Sequence, residues 1–206
     1  VAVSDKDVEK QIQAKLKNAG EKKLTEAFIK KNTDNECKTK AEYEKHVREQ
    51  LEKDKKNSVG SELLSKVSGD SKLKKTPKLQ LKAAKKDVEQ NYEQMASQYG
   101  MDVDSLIKAY GMDEKSYQAM VKNSAKESVK LHLVAHAIAK EEGIRLSSSD
   151  YDQRLKEFKE STGLSEKQFK KQAGSSYEDY AKENNFEEYF FQEKVGQFLV
   201  DKATAK

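Results

Sequence analysis

The chain is 206 residues long, with 37% charged and 35% hydrophobic side chains, nine glycines and one proline. That polar balance argues against a large single core, and no apolar run approaches the roughly 20 residues that span a bilayer. The 40 basic and 36 acidic residues are interspersed, so the net charge of +4 makes no concentrated basic face for nucleic acid. Abundant Lys, Glu, Ala, Gln and Leu favour helix, and no useful stretch alternates with period two. An all-α, elongated protein with narrow apolar stripes and no sheet is predicted. The single cysteine, Cys37, cannot form an internal disulfide, which suits a reducing compartment and leaves open an exported protein that avoids cysteine. The chain begins with Val1 instead of Met, so an excised or mature fragment is expected.

In chain order, "SDKDVEKQIQAKLKNAG" opens with Ser4 and Asp7 as a capping box, continues with Val8, Ile12 and Leu16, and stops at Gly20. "LTEAFIKKN" predicts one or two helical turns that bury Phe28 and Ile29. Thr39 and Glu42 form a second capping box. It opens a long helix with Tyr43, Val47, Leu51, Val59, Leu63 and Val67 on its apolar positions, loosened near Asn57 to Gly60. "SGDSKLKKTPK" is a loop whose Thr76 and Pro77 read as N-cap and first helical residue. The next helix runs to about Tyr99. After Asp113 a helix of about 29 residues, roughly 43 Å at 1.5 Å per residue, runs to Gly143. Ser147 with Asp150, Ser165 with Gln168 and Ser175 with Glu178 then read as three capping boxes. The last of them opens a C-terminal helix rich in Tyr and Phe, some of whose rings must lie outside one narrow stripe.

The stretch "YGMDVDSLIKAYGMDEKSY" places Tyr-Gly-Met-Asp twice, with Gly100 and Gly111 eleven positions apart. A shift of 63 positions aligns Asp87 with Asp150, Gln90 with Gln153, Gly100 with Gly163, Lys108 with Lys171, Gly111 with Gly174 and Tyr117 with Tyr180. The apolar positions follow: Val88 meets Tyr151, Tyr92 meets Leu155, Met95 meets Phe158, Met101 meets Leu164 and Leu106 meets Phe169. A degenerate repeat of one supersecondary unit follows, reading helix, glycine stop, short helix, glycine stop, long helix. Each glycine is a left-handed C-cap, and the Asp or Ser after it restarts a helix.

Little in the chain carries catalytic chemistry. His132 and His136 share a helix face, but Leu133, Val134 and Ala135 lie between them where a zinc protease needs a glutamate, so two packed histidines and no metal are expected. His46, between Lys45 and Arg48, reads as a surface residue. Cys37 lies in a polar segment without a base or pocket, and no phosphate loop or G-x-S-x-G is present. No enzyme and no cofactor are predicted. The positive feature is a set of methionines and rings near the glycine stops. Met95, Tyr99, Met101, Ile107, Tyr110, Met112, Tyr117 and Met120 belong to the first repeat, and Phe158, Leu164, Phe169, Tyr177 and Tyr180 to the second. They either pack the helices against each other or line a surface for other proteins' apolar segments, for which flexible Met and amphipathic Tyr are suited.

The order "VSDKDVEKQI", "LTEAFIKKN", "TKAEYEKHVREQLEKD", "YGMDVDSLIKAYGMDEKSY", "VKLHLVAHAIAKEEGIRLSSSDYDQRLKEF" resembles the C-terminal chaperone domain of bacterial trigger factor over nearly the whole chain. The resemblance implies a helical body with two arms around a cradle that holds unfolded or nascent polypeptides without ATP. It divides the single chaperone domain 1–206 into body and linker helices 1–76, a first repeat 77–145 as one arm, and a second repeat with the C-terminal helix, 146–206, as the other. Trigger factors also carry a ribosome-docking domain and an FKBP-type prolyl isomerase domain. No docking signature occurs here, so a ribosome would be reached only through a domain this chain does not contain. The isomerase would lie between Gly20 and Leu24, where only Glu21, Lys22 and Lys23 stand. The resemblance implies a cytoplasmic, non-enzymatic module of a parent isomerase; a homodimer and an exported, surface-attached relative stay open. The competing class is a structural spacer or partner-specific scaffold.

Overall fold

In a computed structural model that describes residues 2–33 and 35–204, the chain forms ten α-helices and, among those residues, no strand. Helix α1, Asp5–Asn18, starts at the Ser4–Asp7 capping box and buries Val8, Ile12 and Leu16. Helix α2, Glu26–Asn32, is capped by Thr25 and buries Phe28 and Ile29. Helix α3 runs Lys40–Asp70, with the Thr39 and Glu42 side chains bonding each other's backbone N–H groups. Tyr43 and Val47 of α3 close a core with α1 and α2, in which the Phe28 and Tyr43 rings meet edge to face at 6.1 Å. Cys37 lies in this core, and Thr33 Oγ1 accepts a hydrogen bond from its amide. Gly20 at φ 72 turns the chain after α1, and Leu24 packs on the core, so residues 21–23 form a short connection.

The expected loosening of α3 near Asn57 to Gly60 is absent, for a tertiary reason. Asn57 is buried and donates to Glu193 Oε1 at 3.1 Å, while its Oδ1 accepts from Gln197 at 2.6 Å; both partners lie on α10, Phe186–Thr204. One turn on, Gly60 meets Gly196: a Cβ on Gly60 would stand 2.7 Å from the Gly196 carbonyl carbon. These weak helix formers mark a backbone-to-backbone crossing, where any side chain would force the helices apart.

Two compact units divide the chain. The unit Leu64–Glu142 contains α4, Lys78–Gln98, α5, Val103–Ala109, and α6, Glu114–Glu142. Helix α4 lies along α6, burying Ala84, Ala125 and Val129 with Leu81 and Leu133 beside them. The 29 residues of α6 match the length expected after Asp113. The start of α4 differs by one residue: Pro77, at φ −65 and ψ 126, is the N-cap, with its carbonyl accepting from the Leu81 amide, and Thr76 lies outside. Proline's fixed φ suits this half-in position as well as the first helical one.

The other unit, Val1–Leu63 with Gly143–Lys206, combines α1, α2 and most of α3 with α7, Ser148–Thr162, α8, Glu166–Ala173, α9, Tyr177–Glu183, and α10. The boxes Ser147–Asp150 and Ser165–Gln168 open α7 and α8 as expected. Helix α9 is capped by Ser176 with Asp179, one residue beyond the expected Ser175. The C-terminal segment is also two helices instead of one. Asn185 takes φ 51 and Asn184 Nδ2 bonds the Tyr180 carbonyl, since asparagine tolerates the left-handed region and competes for backbone groups. The last two residues of that expected helix, 205 and 206, lie outside the described residues. No helix among the described residues is long and apolar enough to cross a membrane.

Candidate functional site

The repeated Tyr-Gly-Met-Asp is a helix stop followed by a helix start. Tyr99 and Tyr110 are C-caps, Gly100 and Gly111 take φ 65 and 72, and the Met101 and Met112 amides reach back to the carbonyls of Ala96 and Ile107. That six-to-one hydrogen bond closes each helix and turns the methionine back onto it. Asp102 and Asp113 then cap α5 and α6 by accepting from the Ser105 and Ser116 amides, each at 2.7 Å. These hydrogen bonds hold both carboxyls below the ordinary carboxylate range.

Two rigid turns thus sit above a small core of Ile107, Tyr117 and Val121, with Met112 and Met120 half-buried against it and the Tyr92 and Tyr117 rings 5.2 Å apart. Outside that core stand Met95 at 37% exposure, Tyr99 at 64%, Met101 at 39% and Tyr110 at 58%. Tyr110 Oη donates to Met95 Sδ at 3.7 Å, so the end of α4 and the end of α5 share one apolar surface. Exposed large apolar side chains at neighbouring helix ends are what a contact surface needs.

In the second repeat the candidates converge inward. Phe169 and Tyr177 are buried and stacked at 3.7 Å between centroids. Phe158, half-buried, meets Phe169, Tyr177, Tyr180 and Phe186 at 6.2, 5.9, 6.0 and 4.9 Å. Leu164 is half-buried, and its carbonyl accepts from Tyr177 Oη at 3.2 Å.

The unit that holds the second repeat has an open groove of about 740 Å³, which no local pattern announced because it needs α1, α3, α7 and α10 together. Phe158, Phe186, Tyr189 and Phe190 form an aromatic wall, and Lys15, His46, Asp54, Arg154 and Glu157 stand around it. Of these rings only Phe158 is among the sequence candidates; Phe186, Tyr189, which is 55% exposed, and Phe190 are not, and the four rings of "FEEYFF" were the signal. Burial lowers the pKa of the Lys15 ammonium and raises that of the Asp54 carboxyl. Burial also works to raise Glu157, but hydrogen bonds from Lys53, Arg154 and Gln153 hold it below the ordinary value. Arg154 grips Glu193 with two hydrogen bonds of 2.9 Å, fixing α7 against α10 beside the groove. His46 is half-buried at the same edge, with its pKa lowered by burial and by Lys15. The His132 and His136 rings lie 4.3 Å apart on one face of α6.

Over residues 38–201 the chain matches the family described as bacterial trigger factor protein C-terminus. It is 27% identical over 152 residues to the trigger factor of Staphylococcus saprophyticus, covering 72% of this chain and 35% of that protein. The Bacillus subtilis trigger factor is 27% identical over 150 residues, 71% of this chain and 35% of the relative. That of Halothermothrix orenii is 35% identical over 68 residues, 33% of this chain and 16% of the relative. The chain thus spans about a third of the length of the first two relatives. No solved structure matches it.

Proposed function

The chain belongs to the family of bacterial trigger factor C-termini, and on that premise we propose that it is an ATP-independent holdase that binds apolar stretches of unfolded or nascent polypeptides. The observation that carries the proposal is the exposed surface of Met95, Tyr99, Met101 and Tyr110, held by two capped turns above a separate core. Those side chains stand free of the packing that consumes Ile107 and Tyr117, so a client can cover them without unfolding the tip. Each covered ring or thioether contributes apolar burial at roughly 25 cal/mol per Å², offset by the cost of ordering the client. One tip therefore binds weakly. In the groove, the exposed Tyr189 with the half-buried Phe186 beside it supplies a second weak contact.

The reading gives the chain no reaction to catalyse, and it places the parent protein in the cytoplasm, where nascent chains are made. Its test is light scattering of a chemically denatured client diluted into buffer without ATP, at several molar ratios of this protein. Suppression near stoichiometric ratios is expected. Serine at Tyr99, Met101 and Tyr110 together should weaken it several-fold while circular dichroism stays unchanged. A folded wild-type chain that leaves aggregation untouched would overturn the holdase reading in favour of a spacer or scaffold.

A further inference from the structure

The chain has five sulfur atoms, in Cys37 and in Met95, Met101, Met112 and Met120. Cys37 is buried, and burial raises its thiol pKa, so the reactive thiolate is disfavoured. All four methionines fall between positions 95 and 120, in graded surroundings. Met112 and Met120 are half-buried against Ile107, Tyr117 and Val121, and Met120 Sδ accepts from Ser124 Oγ at 3.6 Å. Met95 and Met101 stand exposed at 37% and 39% on the surface assigned to clients.

We propose that Met95 and Met101 are an oxidative modification site, at which a peroxide converts both thioethers to sulfoxides and so switches off the apolar contact surface. The proposal rests on the holdase reading and names a regulation of that same surface. In the step, a sulfur lone pair attacks one peroxide oxygen. The S–O bond forms as the O–O bond breaks, and the proton carried by the transferred oxygen passes to the departing hydroxide of hydrogen peroxide, which leaves as water. Sulfur is oxidised by two electrons and the peroxide is reduced by two; a thiol-dependent sulfoxide reductase reverses the change.

The geometry gives the modification its consequence. A thioether loses little when a client covers it, whereas a sulfoxide oxygen must surrender its water and find a donor. Tyr110 Oη already points at Met95 Sδ. A sulfoxide oxygen there accepts that hydrogen bond far better than sulfur does, which holds the Tyr110 hydroxyl on its own chain. Met101 follows the left-handed Gly100, so its backbone position is fixed by the turn, and the residue is 39% exposed.

The test treats the full chain with excess hydrogen peroxide and maps sulfoxide by peptide mass spectrometry over time. Met95 and Met101 should oxidise several-fold faster than Met112 and Met120; equal rates at all four would overturn the proposal. Client aggregation and binding of an apolar fluorescent dye are then compared between treated and untreated samples. In the wild type both should fall several-fold on oxidation and return after incubation with methionine sulfoxide reductases. In Met95→Leu/Met101→Leu the treated and untreated samples should coincide, whatever that variant's starting level. Met95→Gln/Met101→Gln should resemble the oxidised protein without treatment. A reduced wild type that holds no client would sink the holdase reading alone, and the dye then decides the proposal: oxidised and reduced protein binding it equally would overturn it.

Discussion

The two repeats share a backbone plan and differ in what they show to solvent. Gly100 and Gly163 both take φ 65, Gly111 and Gly174 take φ 72 and 81, and the N-caps Asp102 and Asp113 align with Ser165 and Ser176. Yet the exposed Met95, Tyr99, Met101 and Tyr110 align with Phe158, Thr162, Leu164 and Ala173. Phe158 joins a ring cluster, and Thr162 Oγ1 hydrogen-bonds Tyr177 Oη. The cause lies downstream. Where the first repeat continues into the 29-residue α6, the second breaks at Asn184 and Asn185, and α10 packs on α7 and α9, bringing Phe186 onto Phe158. Capping chemistry is local and survives divergence; exposure depends on the partner helix and does not.

The sharpest way to break this comparison is to truncate one ring in each repeat. Phe169→Ala removes a buried ring stacked on Tyr177 and should cost about 3–5 kcal/mol in urea unfolding. Tyr110→Ala, at an exposed position, should cost under about 1 kcal/mol while weakening client binding. Similar losses of stability at both sites would mean that the first tip is packing and not contact surface.

A second pair of changes should show what the repeats have in common. Around both Gly100 and Gly163 nothing lies within 4 Å of an added Cβ, so alanine would meet only left-handed strain. Each substitution should cost about 1–2 kcal/mol, read from the thermal midpoint. A much larger loss at one of them would show that the two stops are not equivalent.

Helix starts were legible from sequence because a cap is a contact over three residues: Ser4–Asp7, Thr39–Glu42, Ser147–Asp150 and Ser165–Gln168 are all formed. Ser175 and Ser176 defeated that rule because each has an acid three positions on, Glu178 and Asp179. The repeat register resolves them, since Asp113 aligns with Ser176. Burial was less legible. Ile107 and Tyr110 are both apolar and three positions apart, but α4 and α6 cover only the first. The groove was invisible because α1 and α3 from one end of the chain and α7 and α10 from the other line it together. The stretch Asn57 to Gly60 looked like a weak point because glycine is a poor helix former wherever it stands, and its partner Gly196 lies far along the chain.

Ser175 sharpens the comparison further. It occupies the position of Met112, and its Oγ is buried without a hydrogen-bond partner among the described residues. An unsatisfied buried hydroxyl is a cost that its removal relieves. Ser175→Ala should therefore stabilise the chain by up to about 1 kcal/mol in urea unfolding. A loss of stability would mean that the hydroxyl makes a bond that supports α9.

The smallest effect separates the repeats by charge. Asp102 caps α5 as a carboxylate, whereas Ser165 with Gln168 caps the aligned α8 without a titrating group. Hydrogen bonds from Ser105 lower the Asp102 pKa, so its folded value lies below its unfolded one. The stabilisation it brings is present above the ordinary Asp value of about 3.9 and is lost as pH falls through the folded pKa. Amide exchange at Ser105 should therefore lose protection across that acidic window relative to its value at neutral pH, while Gln168, held by a hydroxyl, should not. The contrast holds only if Asp102 acts through its charge. Asp102→Ser should make the two starts respond alike, and a Ser105 amide that still loses protection in that variant would show that the acid response arises from another carboxylate.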